Sequence, residues 1–175
     1  TLDWDSGFEV GAVFDYRFEV VEQEFTIGRD TTIPAGTYEM PGVQIWAQTP
    51  GHLPVTGDVT VTGRGFYGGL LYGVATNLSA RPSPLVRMSV GASFDDVSFE
   101  DERPGFASLV VNSKVSFGFT RDLGLDLFVG WNRLEELLLG QTRLRWTWAP
   151  GSDVFLVYQA EADDDFTVDR YQSLL

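Results

Sequence analysis

Several residue types that support common kinds of chemistry are missing or scarce in this sequence. There is no cysteine, which excludes disulfide bonds, thiol catalysis and the usual zinc clusters together. The single histidine, His52, stands in a Pro-Gly turn without a serine or acidic pattern around it, so we interpret it as a surface residue. Lys114 is the only lysine, and 25 acidic residues face 12 basic ones, which argues against a nucleic-acid partner.

Long apolar runs are absent as well. Without about 18 consecutive apolar residues, no transmembrane helix is predicted. A barrel strand, by contrast, crosses a bilayer with about 9–11 residues of alternating character. No charged and apolar leader precedes Thr1. We therefore expect a mature chain or a piece of a longer one, with residues 1–175 forming one β-barrel domain or a barrel fragment.

What the sequence does contain is sustained alternation of apolar and polar residues. From Phe8 to Val20 every second residue is apolar, and the residues between them are mostly polar or charged. This period of two predicts a strand with one apolar and one polar face, and it is incompatible with a helix. The same pattern recurs along the chain and predicts nine strands, with a partial tenth near residues 171–175.

The connections between these strands alternate in length. Compact Pro, Gly and Asp turns are predicted at residues 49–52, 81–84, 120–124 and 149–153. Longer and mostly more acidic segments are predicted at residues 25–36, 66–69, 95–105, 132–138 and 161–169, of which 66–69 is short and reads as a tight hairpin. Short turns at one end and long loops at the other are typical of up-and-down outer-membrane barrels.

The polar face of the predicted strands favours an enclosed interior over a soluble exterior. It carries small polar residues and charges of both signs, with little of the Lys and Glu that soluble surfaces use. The candidate lumen-facing residues are Asp15, Arg17, Asp58, Arg64, Arg87, Lys114, Asp126, Arg143 and Arg145. Alternation lasting about 11–14 residues, against about 5–6 in soluble sheets, also favours a membrane. The alternative is a soluble β-barrel or sandwich that binds a small ligand in its interior.

Aromatic residues near the predicted strand ends are candidates for an interfacial girdle. They are Trp46, Tyr67, Tyr72, Phe94, Phe119, Trp131, Trp146, Trp148 and Tyr158. Aromatic residues are enriched in any sheet, however, so the girdle and an ordinary sheet remain equal alternatives.

The long segments contain acidic residues that are candidate metal ligands. Asp163, Asp164 and Asp165 are weak candidates for a Ca²⁺ site, because carboxylate oxygens are the ligands that Ca²⁺ prefers. The EF-hand spacing and its glycine are missing, so a solvated acidic loop is the favoured interpretation. Divalent ions could instead bridge such loops to lipopolysaccharide phosphates. We predict no catalytic residues and no cofactor.

Four stretches, taken together, resemble a known family. They are T-I-P-A-G-T-Y at 32–38, G-R-G-F-Y-G-G at 63–69, R-P-S-P at 81–84, and R-L-R-W-T-W-A-P-G-S-D-V-F-L-V-Y at 143–158. In this order and spacing they resemble the C-terminal barrel of a bacterial outer-membrane family of unknown function, whose members usually carry a carbohydrate-binding family-9-like domain before that barrel. The resemblance implies an outer-membrane location and a barrel larger than this chain. The carbohydrate-binding-like domain is absent from these residues, so no sugar function is carried over.

The chain is predicted to be an all-β, antiparallel up-and-down transmembrane β-barrel of about eight to ten strands, or one wall of a larger barrel. We expect it in the outer membrane of a Gram-negative bacterium, as a non-enzymatic pore, scaffold or subunit of an assembly. The expected partners are outer-membrane lipid, lipopolysaccharide and other protein subunits.

Overall fold

Antiparallel β-strands account for most of the chain. The computed structural model describes residues 1–3, 6–27, 30–163 and 168–174, and the side chains of residues 1, 6–27 and 30–162. The strands are β1 (Leu2–Asp3), β2 (Glu9–Val21), β3 (Phe25–Ile27), β4 (Thr31–Ile33), β5 (Gly36–Gln48), β6 (Val55–Phe66), β7 (Gly69–Ser83), β8 (Val86–Phe99), β9 (Phe106–Gly118), β10 (Leu123–Asn132), β11 (Leu137–Ala149), β12 (Ser152–Asp163) and β13 (Val168–Leu174). Within the described residues, no helix is long and apolar enough to cross a membrane.

Eleven of these strands form one sheet in chain order, β1-β2-β5-β6-β7-β8-β9-β10-β11-β12-β13, and β3 pairs with β4 separately. Nine of the eleven are 10 to 15 residues long. The nine strands predicted from alternation are thus confirmed, and β13 lies where the partial tenth was expected. The sheet is an antiparallel up-and-down meander.

Closure into a barrel is not part of this arrangement. The strand order begins at β1 and ends at β13, and no pairing within the described ranges joins the two. The meander is therefore the part of the fold prediction that is confirmed.

Two predicted boundaries were wrong because the strands run further than their turn-forming residues suggested. Arg81, Pro82 and Ser83 were expected in a turn, but β7 continues through Ser83 and only Pro84 and Leu85 remain between β7 and β8. A proline is tolerated near a strand end, where it interrupts few ladder hydrogen bonds. Likewise β8 continues to Phe99, which shortens the predicted loop at 95–105 to residues 100–105.

The loop predicted at residues 25–36 contains structure of its own. Its β3–β4 hairpin pairs Phe25 with Ile33 and Ile27 with Thr31. Strands of three residues are too short to show a period, so alternation could not predict this hairpin.

The expected tight hairpin at residues 66–69 is confirmed, with its turn at Tyr67 and Gly68. Both turn residues have positive φ, 46° and 83°, as the two-residue turns that match strand twist require. Glycine adopts this conformation freely, but for a tyrosine it is strained. Contacts of the Tyr67 side chain, described below, hold it there.

The chain divides into two compact units. Unit 1 comprises Thr1–Gly51, Gly57–Thr76 and Ser93–Leu109, and unit 2 comprises His52–Thr56, Asn77–Ala92 and Val110–Leu175. The buried apolar side chains of the described residues are few: Val21, Ile33, Met40 and Val97 in unit 1 and Ala162 in unit 2.

Candidate functional site: two faces and a loop cluster

Many large apolar side chains lie exposed on one face of the strands. In unit 1, Phe14 is 75% and Phe18 60% exposed, and in unit 2 Trp148 is 63% exposed. Further exposed members of this set, which we call the apolar face, are Tyr16, Val20, Val43, Ile45, Val59, Val61, Leu70, Tyr72, Val74, Leu78, Met88, Val90, Phe94, Phe119, Val129, Trp146, Val154, Leu156 and Tyr158. These are the alternating residues that the sequence predicted to share a face.

Charge is almost absent from the apolar face. At its positions in the nine long strands of the described chain, the charged residues are Glu39 and Asp96. Glu39 lies within the first four residues of β5 and Asp96 within the last four of β8, so both are next to a long loop. Between the strand ends the face is therefore a band without charge.

The opposite, polar face of unit 1 is built around an ion pair. The Arg64 guanidinium donates from one Nη to both carboxylate oxygens of Asp15, at 3.0 and 3.2 Å. Arg17 lies 3.4 Å from the same carboxylate but is far more exposed. Gly42 provides the room for this pair, since a Cβ there would lie 2.8 Å from an Asp15 oxygen and 3.1 Å from the Arg64 Cβ.

Trp46 also lies on the polar face of unit 1, which corrects the girdle prediction. Its ring covers Gly11, the residue opposite it on β2, so closely that any side chain at Gly11 would collide with it. Tyr67 lies in the turn between β6 and β7 rather than on a strand face. Tyr72, Phe94, Phe119, Trp146, Trp148 and Tyr158 are exposed on the apolar face.

In unit 2 the polar face carries a second ionic cluster. The Ser116 hydroxyl donates to Asp126 at 2.6 Å, and Arg143 donates to the other oxygen of that carboxylate at 3.2 Å. The three residues lie opposite one another on β9, β10 and β11. Lys114 lies on the same face, opposite Phe128. The Asp126 charge is therefore already balanced within the strand row.

The remaining candidate residues lie on the same faces. Asp58 lies opposite Gln48 on the polar face of unit 1. In unit 2, Arg145 lies opposite Gly124, and Arg87 lines a cavity together with Arg81. The nine candidates thus lie on the polar face of their unit, and that this face encloses a lumen stays a prediction.

The other candidate sites from sequence fare differently. Asp164 and Asp165 lie outside the described residues, as does the side chain of Asp163. In the described part of the chain, no group of three or more His, Asp or Glu side chains could hold a metal ion. His52 is exposed in the turn between β5 and β6.

In contrast to the exposed apolar face, the loops of unit 1 pack against one another. The Tyr67 ring meets the rings of Phe25, Tyr38 and Phe66 edge-on, with centroids 5.6, 5.2 and 4.9 Å away. Ile33 of the β3–β4 hairpin is fully buried, and the buried Thr31 hydroxyl donates to the Pro104 carbonyl at 2.8 Å. We call this group, Phe25, Thr31, Ile33, Tyr38, Phe66, Tyr67 and Arg103, the loop cluster.

Arg103 connects the β8–β9 loop to the rest of the loop cluster. It donates from Nη1 to the Tyr67 carbonyl at 3.0 Å and from Nε to the Asp101 carboxylate at 2.7 and 2.8 Å. Its guanidinium also stacks 4.1 Å from the centroid of the Phe99 ring. The Arg103 side chain therefore contacts three segments: the β8–β9 loop, the β6–β7 turn and the end of β8.

The pKa values of two residues in or beside the loop cluster, Tyr67 and Asp101, are shifted. Burial, followed by the hydrogen bond to Glu19, raises the pKa of the Tyr67 phenol, which donates to that carboxylate at 2.9 Å. The hydrogen bond from Arg103 lowers the pKa of Asp101. Because the pKa of the phenol is raised, the hydrogen bond from Tyr67 to Glu19 is fully present below the ordinary tyrosine pKa, which includes neutral pH. It is lost only when the pH rises through the raised pKa.

Sequence reasoning missed the loop cluster and Arg81. Nothing in the pattern marks Tyr67 as a contact centre, and Arg81 was assigned to a turn rather than to a strand face. Neither the protein-family models nor the curated proteins give a match to this chain. The resemblance described above therefore stays a prediction, and the case for a function depends on the two faces.

Proposed function

We propose that this chain is an outer-membrane β-barrel protein of a Gram-negative bacterium, or one wall of such a barrel. In this proposal the apolar face contacts the acyl chains of lipids and the polar face lines an interior. The protein acts without catalysis, as a pore, a scaffold or a subunit of an outer-membrane assembly.

The apolar face carries this proposal. Soluble proteins rarely expose contiguous apolar patches of more than a few hundred Å², and larger ones mark a partner or a membrane. Here exposed Phe, Trp, Leu and Val side chains recur on strand after strand, and the band between the strand ends carries no charge. In the outer membrane, hydrocarbon would cover that band and each strand's backbone would be bonded to its neighbours.

Strand length supports the same environment. A strand of about 12 residues, rising about 3.3 Å per residue with a tilt near 40°, covers roughly 30 Å along the membrane normal. The nine long strands have 10 to 15 residues, so most of them reach this height.

The polar face supports an interior rather than a second lipid surface. The pairs Arg64–Asp15 and Arg143–Asp126 balance charge within the sheet, and Gly11, Gly42 and Gly73 leave room for larger neighbours. A lumen lined in this way is suited to an aqueous path or to a plugged interior.

The two ends of the strands differ in their connections. The shortest ones at one end, Pro84–Leu85 and Pro150–Gly151, have two residues, although residues 49–54 there are longer. The opposite end carries the β3–β4 hairpin and the acidic loop at 100–105, beside the two-residue turn Tyr67–Gly68. We propose that the short turns face the periplasm and the long loops face outward. The outward acidic loops would then meet lipopolysaccharide, with divalent cations between carboxylates and phosphates. The family resemblance adds to this proposal.

A quenching experiment with tryptophan tests which face meets lipid. One variant keeps only Trp148 and a second keeps only Trp46, with the other tryptophans replaced by phenylalanine. Each is reconstituted into liposomes that contain brominated lipid. Because Trp148 lies on the apolar face and Trp46 covers Gly11 on the polar face, bromine should quench Trp148 strongly and Trp46 weakly.

Two results would contradict the proposal. Equal quenching of the two tryptophans would mean that lipid does not distinguish the faces. A protein that stays monomeric and folded without detergent would show that the apolar face is covered by the chain itself, which is the alternative of a soluble β-barrel or sandwich with an internal ligand site.

A further inference from the structure

A cavity of unit 2 is lined by two arginines. It is open, has a volume of about 590 Å³, and lies at the short-turn end of β7 and β8. Arg81, Ser83, Pro84, Arg87, Ser116 and Gly118 are among its lining residues. Gly118 contributes no side chain, and a Cβ there would meet nothing closer than the Leu85 carbonyl at 3.9 Å, so this wall is open.

Sheet register brings the two arginines to the same level on one face. Gly91 of β8 lies against Asn77 of β7 and against Asn112 of β9. When this antiparallel register is followed toward the turns, Arg87 comes level with Arg81 on one side and with Ser116 on the other. Like charges on neighbouring strands repel each other, so this arrangement destabilises the unliganded sheet.

No acid in the described chain relieves this repulsion. Within the described residues, Arg81 and Arg87 form no ion pair. The nearest carboxylate along the strand row, Asp126, already accepts hydrogen bonds from Ser116 and Arg143. Because the whole chain carries a net charge of −13, two adjacent cations without an acidic partner are unusual here.

We propose that this cavity binds a small phosphate-bearing anion, held between the guanidiniums of Arg81 and Arg87. Guanidinium groups present paired N–H donors that match phosphate oxygens, and an anion between them would replace repulsion by attraction. Arg145, level with Gly118 across Gly124, adds positive charge near the same wall. The site itself does not require a membrane, and only its use as an anion filter in a lumen rests on the proposed function.

Calorimetric titration of the whole chain in neutral detergent, at low salt, tests this site. The probe is inorganic pyrophosphate, and the variants are Arg81→Gln, Arg87→Gln and the double variant. Arg121→Gln is the matched control, because Arg121 is an exposed arginine in the β9–β10 turn of the same unit. Each cavity variant should weaken binding by about tenfold or more, and the control should leave it unchanged.

Each other result overturns the assignment. If pyrophosphate does not bind, the cavity is not an anion site. If Arg121→Gln weakens binding as much as the cavity variants do, the protein attracts the anion only through general charge. A second titration replaces the probe with mixed micelles that contain phosphatidylglycerol; a response there, without one to pyrophosphate, would assign the cavity to a lipid headgroup instead. A failed titration leaves the quenching of Trp148 by lipid unaffected, so the two proposals can fail separately.

Discussion

The loop cluster and the apolar face use similar side chains in opposite ways. In the loop cluster, Ile33 is fully buried and the Tyr67 ring contacts three other rings. On the apolar face, Phe14 and Trp148 contact little of the chain and remain mostly exposed. The loop cluster is therefore stabilised by the protein itself, whereas the apolar face needs something outside the chain to cover it.

The stability of the molecule therefore has two sources. The loop cluster should respond to substitutions in the way that a soluble core does. The strands should respond according to what surrounds them, because in hydrocarbon an exposed apolar side chain is favourable and an exposed charge is costly. Four substitutions or titrations test this division, in order of expected size.

Ile33→Ala should disturb the loop cluster most strongly. Removing a fully buried aliphatic side chain leaves a cavity and costs about 2–5 kcal/mol. We expect the hairpin and its neighbours to open, measured as faster proteolysis of residues 22–35 in the detergent-bound protein. Ile45→Ala, at a side chain that is 52% exposed on the apolar face, is the control and should leave proteolysis unchanged. Equal sensitivity of the two variants would remove the distinction between the regions.

Val111→Asp should block insertion while leaving the loop cluster intact. Val111 lies near the middle of β9 on the apolar face, where a charge near the bilayer midplane costs about 2–4 kcal/mol, with Asp toward the lower end. The measurement is the fraction of protein that floats with liposomes. Asn112→Asp places the same charge on the polar face one residue away and should insert normally. Normal flotation of Val111→Asp would count heavily against lipid contact.

Arg64→Met should destabilise the polar face of unit 1 by a smaller amount. It leaves the half-buried Asp15 carboxylate without its closest partner, which costs about 1–3 kcal/mol in the free energy of unfolding. Urea unfolding followed by fluorescence measures the loss. Arg17→Met removes the more exposed partner of the same carboxylate and should cost only about 0–1 kcal/mol. A larger loss for Arg17 than for Arg64 would show that burial of the pair does not matter.

Lowering the pH should break the Arg103–Asp101 pair, and of the four changes this should affect stability least. Because the hydrogen bond from Arg103 lowers the pKa of Asp101, the contribution of this pair is present above the ordinary carboxyl pKa. It is lost as the pH falls through the lowered pKa. The ¹⁵N shift of Arg103 Nε should report this step, and Asp101→Asn should abolish it. A step that persists in Asp101→Asn would assign the titration to another group.

The alternation of apolar and polar residues predicted the nine strands and the members of each face because a strand has a fixed period of two. The same period places Trp46 on the polar face, since it shares parity with Gln44 rather than with Val43 and Ile45. Proximity to a turn suggested a girdle, but parity placed the ring on the polar face.

The loop cluster and the arginine cavity could not be predicted in the same way. Tyr67 meets Phe25 and Tyr38 from loops and strands that are distant in sequence, and no periodic signal links such residues. Arg81 was assigned to a turn because Pro82 and Pro84 beside it are typical turn residues. Its position beside Arg87 follows from the register of two strands, and register depends on the whole ladder rather than on local composition.

The order of the strands has a consequence for how the sheet is made. Each long strand pairs with the next one along the chain, and the single wider gap, between β2 and β5, is spanned by a small hairpin. Partners with short sequence separation lose little entropy when they meet, so the sheet can grow by adding one hairpin at a time to its last edge. No segment needs to thread past another, and each unfinished edge is the template for the strand that follows.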